Sequence, residues 1–203
     1  MMNMTRFLAL FSVTLTGLPA CAQQTSFHNE AFVYKNFLGE GKPEYRSNQS
    51  SIALRHTPED RAEITHHLTI RPTLNLAFSR AITRSVQAGQ VKVMKRKHIE
   101  TRSFGEVQTL ETEAYYSLNP AWEETSISEQ DEVRLLMWMS EGNCLLAINK
   151  TVHESETCPA AIETDWVLLN QPEVETWILI SNEKSEGWVR VGEQQVSEVS
   201  RSF

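Results

Sequence analysis

The residues of this chain with the most chemical reach are few: the cysteines Cys21, Cys144 and Cys158, and a histidine cluster of His56, His66 and His67. Cys144 and Cys158 are too far apart for a C-x-x-C redox motif. Adjacent histidines point to opposite sides of a strand and about 100° apart on a helix, so His66 and His67 do not chelate as a pair. The H-E-x-x-H zinc pattern is missing. Glu63 precedes His66 by three residues, which makes a one-turn pair if the segment is helical. An unconventional hydrolase site on Glu63, His66 and His67 is therefore the enzymatic reading, and solvated or hydrogen-bonded histidines are the plain one.

Other chemistry is thin. The chain has no G-x-S-x-G nucleophile elbow and no phosphate-cradling glycine loop, which argues against both hydrolase and nucleotide chemistry of the usual kind. Glu123-Glu124 and Asp131-Glu132 read as loop charges. Trp122, Trp177 and Trp188 are core or sheet-edge anchors, with an aromatic ligand platform as the alternative. No catalytic residue, metal ligand or cofactor is assigned.

The charge is uneven. Net charge is −7, but residues 1–105 hold fourteen Lys/Arg against seven Asp/Glu, and residues 106–203 hold five against nineteen. Either the halves neutralise each other on one surface, or the surface is bipolar. In the bipolar case Lys92, Lys95, Arg96 and Lys97 form a basic strip suited to anionic lipid headgroups or a polysaccharide. The acidic total disfavours nucleic acid.

These residues need positioning, and the first clue is the leader. Arg6 followed by an apolar stretch from Phe7 to Ala20 has the form of a bacterial secretory signal peptide, placed at 1–22. Ala20-Cys21-Ala22 is an A-x-A cleavage site that would release a periplasmic or secreted protein starting at Gln23. Leu18-Pro19-Ala20-Cys21 alternatively reads as a lipobox, in which Cys21 carries lipid at the envelope. No later stretch is long enough to cross a membrane as a helix. Cys144 and Cys158 are then an even remainder in an exported chain, which predicts a disulfide.

The stretch Val133 to Cys158 is the predicted structural centre. Val133–Ser140 and Cys144–Lys150 are apolar on both faces and flank Gly142-Asn143, which predicts an antiparallel hairpin with Trp138 and Leu146 buried. Thr57-Pro58-Glu59-Asp60 reads as a helix start. Leu74, Phe78, Ala81, Ile82 and Val86 form a helical stripe that closes at Gly89. Gln90–Thr101 reads as a strand, Ser117–Gln130 as a loop, and Ala160–Leu169 as a short helix or the start of a strand. Thr176–Ser181 and Trp188–Val191 read as a strand pair. The predicted fold class is α+β: an antiparallel sheet of about five to seven strands with two or three packed helices. Residues 23–203 form one domain, with a polar N-terminal arm and a frayed C-terminal tail.

Ile99-Glu100-Thr101-Arg102 with Gly105-x-Val107, followed by a Cys-Leu strand and a second Cys, resembles small uncharacterised bacterial exported and lipoprotein-like envelope proteins. Ser103-Phe104 departs from that pattern, in which the glycine lies closer to the arginine. Gly187-Trp188-Val189 resembles a triplet of bacterial SH3-like modules. The resemblance implies an envelope location and no known chemistry. The expected function is non-enzymatic binding of an envelope protein, polysaccharide or anionic lipid surface. The alternatives are the hydrolase above and a small inhibitor or immunity-like protein that uses its acidic half.

Overall fold

A computed structural model describes residues 32–36, 41–72, 74–160, 164–192 and 196–202. The leader, Cys21 and the apolar pair Phe37-Leu38 lie outside the described residues. In chain order the strands are β1 Phe32–Lys35, β2 Lys42–Arg46, β3 Ser51–Arg55, β4 Ile64–Thr69, β5 Arg80–Gln87, β6 Gly89–Val93, β7 Lys97–Gly105 and β8 Thr109–Glu111. A helix, α1, spans Thr112–Leu118. There follow β9 Glu123–Ile127, β10 Val133–Trp138, β11 Cys144–Ile148, β12 Thr151–Ser155, β13 Trp166–Leu168, β14 Glu173–Ser181, β15 Glu186–Val191 and β16 Ser197–Ser202.

The fold is therefore mostly β, and the expected α+β class with two or three packed helices is wrong. Two seven-stranded sheets run β4-β3-β15-β14-β5-β1-β8 and β13-β6-β10-β11-β12-β7-β9, and β16 pairs with β2 in a ribbon. Of the described pairings only β1 with β8 is parallel. The segment expected as a helix over 74–86 is largely β5. Its Ile82 and Val86 also fall on one face of a strand, and Ile82, Thr83 and Val86 are β-branched, which favours a pleated strand. Pairing with β1 on one side and β14 on the other decides it.

Three apolar clusters hold the layers. Phe32, Tyr34 and Leu110 of the first sheet pack with Leu136, Met137, Leu145, Ala147 and Val152 of the second, joining the two. Val93, Ile99, Ile127, Leu135, Leu146 and Trp166 form a cluster within the second sheet. That sheet is curled. Three strands lie between β6 and β7, which in a flat sheet would separate them by about 19 Å. Yet only three residues join Val93 to Lys97, a reach of about 15 Å at most. Lys97 Nζ lies 4.4 Å from the ring centroid of Trp166 on the far edge strand β13, so β7 approaches that edge at this end. The third cluster seats Tyr45 and Val196 of the ribbon on Ile52, Leu54, Ile178, Ile180 and Val189 of the first sheet. Close approach here requires Gly187: a Cβ on it would lie 2.6 Å from Leu54 Cβ.

The predicted hairpin is present, with Val133 opposite Ile148 and Leu135 opposite Leu146. Leu146 is fully buried, but Trp138 is 39% exposed. The register shifts between Leu135 and Met137, so Met137 meets Leu145 and joins the inter-sheet cluster, while Trp138 is carried to the strand end opposite Cys144. The turn uses Glu141 at φ 59° and Gly142 at φ 86°. Asn143 is extended instead. The next turn, Asn149-Lys150, has both residues at positive φ, 49° and 83°, as a two-residue hairpin turn requires. β12 then runs back along β11 and returns Cys158 to Cys144, with Cα atoms 5.9 Å apart and the two sulfurs bonded.

Other expectations are corrected. Residues 56–63 form a loop, not a helix start. Arg84 Nη1 donates to the Pro58 carbonyl at 2.6 Å and Arg190 pairs with Asp60. The loop is thus tied across the outer face of the first sheet, over fully buried Trp177. The expected loop 117–130 contains β9, and α1 precedes it. Over 160–169 the strand alternative holds from Trp166: residues 166–168 form β13, because Trp166 and Leu168 alternate into the interior of the second sheet, and 161–163 lie outside the described residues. The polar arm contributes β1 and β2, and Ser197–Ser202 of the tail form β16, which pairs with β2.

Candidate functional site

Glu154 is a buried carboxylate on β12 with its charge fully partnered. Arg102 Nε donates to its Oε2 at 2.5 Å and the Tyr115 hydroxyl donates to the same oxygen at 2.6 Å. Asn143 Nδ2 donates to Oε1 at 2.8 Å. Arg102 also donates to Tyr115 at 2.6 Å and to Asn119 Oδ1 at 3.1 Å. Its guanidinium lies 4.9 Å from the Tyr115 ring centroid and 5.2 Å from that of Trp122. Trp122 therefore holds the chain after α1 to the body. Burial alone would lower the Arg102 pKa, but Glu154 and Tyr115 outweigh it and the value is raised. Burial and the Glu154 charge push Tyr115 up, so it remains a donor. Arg102, Tyr115 and Asn143 all donate to the carboxylate, which makes this constellation a structural clamp between β7, β12 and α1.

The side of the second sheet opposite Glu154 holds a second buried polar group. His153 Nδ1 lies 3.1 Å from Thr101 Oγ1, which is 2.7 Å from Thr125 Oγ1. Burial lowers the His153 pKa, because it disfavours the charged ring.

The histidines named from the sequence come out differently. His66 and His67 are exposed on edge strand β4, opposite Leu54 and Ala53. His56 and Glu63 are exposed in the adjoining loop, where the His56 backbone N–H donates to the Glu63 carbonyl at 3.0 Å. Among the described residues no group of three His, Cys, Asp or Glu side chains could hold a metal ion.

Lys92, Lys95 and Arg96 are exposed at the end of β6 and in the turn after it, while Lys97 rests over Trp166. Lys92 shares its surroundings with acids. A groove of about 590 Å3 is lined by Lys92, Met94, Glu129, Asp131, Glu132, Arg134 and Leu169. Arg134 pairs with Glu132 at 2.7 Å. Asp131 is held below its ordinary pKa by hydrogen bonds from Asn149 and Ser128, with Arg96 a smaller contributor.

A second cleft, of about 730 Å3, opens at one end of the first sheet. It is lined by Lys35, Asn36, Lys42, Phe78, Ser79, Arg80, Ala81, Ile82, Glu111 and Trp188. The topology assembles it from five strands and the approach to β5. Trp188 on β15 lies opposite Leu179, and Leu179 lies opposite Arg80, so one cross-strand row carries an indole and a guanidinium. Lys35 and Glu111 are register partners on β1 and β8 and form an ion pair. That pairing holds Glu111 below the ordinary carboxylate range. Lys42 Nζ stands 5.6 Å from the Phe78 ring centroid, and Phe78 packs edge-on against Tyr45 at 5.3 Å.

Among the described residues the lining carries Lys35, Lys42, Arg80 and Glu111. Of the aromatic residues singled out from the sequence, Trp188 is part of a concave surface and Trp177 is not. Phe78, Arg80 and Lys42 carry no sequence signal for this site, because they converge only once β2, β5 and β15 are in place. No family model matches the chain, and neither a curated protein nor a solved structure does.

Proposed function

We propose that this is an exported bacterial envelope protein that acts by binding, and that its ligand contact is the cleft at the end of the first sheet. The observation that carries the reading is the composition of that cleft: Lys35, Lys42 and Arg80 around Phe78 and Trp188, in a concavity of about 730 Å3. That volume falls in the range of small-molecule sites, which combine an apolar floor with a few placed polar groups. Export is supported by the leader pattern and by the Cys144–Cys158 bond, which suits an oxidising compartment. Binding is favoured over catalysis because the buried carboxylate Glu154 is consumed by three donors, and His66 and His67 stand on an exposed edge. Docking of Lys92, Lys95, Arg96 and Lys97 on anionic headgroups is a second reading. Glu129, Asp131 and Glu132, which line the groove beside Lys92, oppose it.

The test is expression of the full precursor in a bacterial host, followed by fractionation and intact mass. A soluble product starting at Gln23 is expected, whereas an acylated Cys21 would make it an anchored lipoprotein. Retention of the leader in the cytoplasmic fraction would overturn export. Capture of a component from envelope extract by the processed protein, lost in Trp188→Leu, would support the cleft. Capture unaffected by that change would overturn it.

A further inference from the structure

We propose that β4 joins two copies of this chain, edge to edge and antiparallel, about a two-fold axis at His67. β4 ends the first sheet, and among the described residues β3 is its one ladder partner. Edge strands are ordinarily guarded against such pairing by shortness, charge or proline. The other edges of the two large sheets are guarded in this way. β8 and β13 have three residues each, and β9 opens with Glu123-Glu124. β4 has six residues, holds no Lys, Arg, Asp, Glu or Pro, and exposes every residue except half-buried Leu68. Ile64, at its start, is 44% exposed.

The backbone of this edge is set for a partner. Ile70 donates its N–H to the Ser50 carbonyl at 2.9 Å, so it faces β3. Ladder bonds of an antiparallel pair alternate. Leu68 and His66, opposite Ile52 and Leu54, therefore face β3 as well, and Thr69 and His67 turn their N–H and C=O groups outward. Thr65 stands at the bulge of this ladder and has no register partner on β3. The edge is also self-complementary. With His67 opposite itself, Thr65 meets Thr69 and His66 meets Leu68, so outward backbone meets outward backbone at His67. The charges beyond the strand match too. Glu63 precedes β4 and Arg71 follows it; both are exposed. Antiparallel pairing carries Glu63 of each copy to the end that holds Arg71 of the other, whereas parallel pairing would set like charges together. Pairing consumes both β4 edges, so this association closes at two.

The test is sedimentation equilibrium of the protein purified from the producing host, at low salt. A contact along one strand is small beside a standard interface of about 1,600 Å2, so concentrations run from about 10 μM to about 1 mM. A monomer–dimer equilibrium is expected. Glu63→Arg alone and Arg71→Glu alone should each weaken it at least tenfold. Mixing these two variants should restore association, because each end then joins an arginine to a glutamate, and the double variant should recover the original affinity. His67→Pro should abolish the dimer with the melting temperature unchanged, since the N–H it removes faces outward.

A monomer throughout the concentration range would overturn the proposal. A dimer indifferent to His67→Pro and to the charge variants would place the contact elsewhere and overturn it as well. Loss in His67→Pro with no response to the charge variants would overturn the antiparallel arrangement. Growth beyond two copies would overturn the closed two-fold. The charge variants decide the question even if His67→Pro fails to fold, because both positions lie outside the strand.

Discussion

Arg102 on β7 and Glu154 on β12 face each other as register partners, with Nε and Oε2 at 2.5 Å and the carboxylate side chain only 3% exposed. A buried pair of this kind is costly to break from one side, because the remaining charge has no water to solvate it. Arg102→Ala should destabilise the protein by roughly 3–5 kcal/mol. Replacing both residues with Met should cost clearly less than the single change, since no charge is stranded. Urea unfolding of the three proteins checks this. A double variant as unstable as Arg102→Ala would mean that packing around Tyr115 and Trp122, rather than charge, sets the cost.

The Cys144–Cys158 bond closes a short loop, at a sequence separation of 14. Its loss should cost about 3 kcal/mol in the chain-entropy model. For a protein of this size that corresponds to a fall in Tm of roughly 6–12 °C. The fold should survive, because β11 and β12 are held by their own ladder and by two apolar clusters. Calorimetry with and without reductant tests the shift. A thiol assay on the native oxidised protein should find neither Cys144 nor Cys158 free.

His153 gives an acid-side signature. Its folded-state pKa lies below the ordinary value of 6.5 because the ring is buried. Near and below 6.5 the unfolded chain therefore takes up a proton that the folded chain refuses. The stability tied to this residue is complete above pH 6.5 and is lost as pH falls through the folded-state value. His153→Gln removes the titration, so the loss of stability between neutral pH and pH 5 should be smaller in the variant. An unchanged pH slope would show that the ring protonates in place.

The hairpin is legible in the sequence because two apolar runs and a glycine turn are local signals, and Cys158 falls into place as soon as β12 is seen to run back along β11. The position of Trp138 is not legible. One bulged residue at Leu136 exchanges the faces of Met137 and Trp138, and a pattern of alternation carries no mark of where the ladder slips. The stripe from Leu74 to Val86 satisfies a helical period as well as a strand period, and the partners that decide it, β1 and β14, are remote in sequence. α1 is invisible for a different reason: it is seven residues long and Glu111 makes no side-chain capping bond to it. β16 reads as a fraying tail because its strand Ser197–Ser202 is polar, and only the ribbon with β2 gives it a place. The Asn149-Lys150 turn does have a local signal, since asparagine tolerates the left-handed region. Arg102 and Glu154, or Lys42 and Arg80, have none, because nothing within the sequence between them announces the meeting.

The first sheet also dictates an order of assembly. β5 is flanked by β1 on one side and by β14 on the other, and Ser79 donates its backbone N–H to the Leu179 carbonyl across a hundred positions of chain. A nascent chain can pair β1 with β5 early, but the opposite edge of β5 stays open until residues 173–181 emerge. Through that interval an unpaired edge is exposed alongside unburied Phe32 and Tyr34, the combination most prone to pairing with another chain. Folding of this topology is governed by long-range closure and is slow by comparison with local structure. The molecule therefore spends its vulnerable time before β14 docks, and a helper that shields open strand edges during that wait would raise its yield without touching the finished fold.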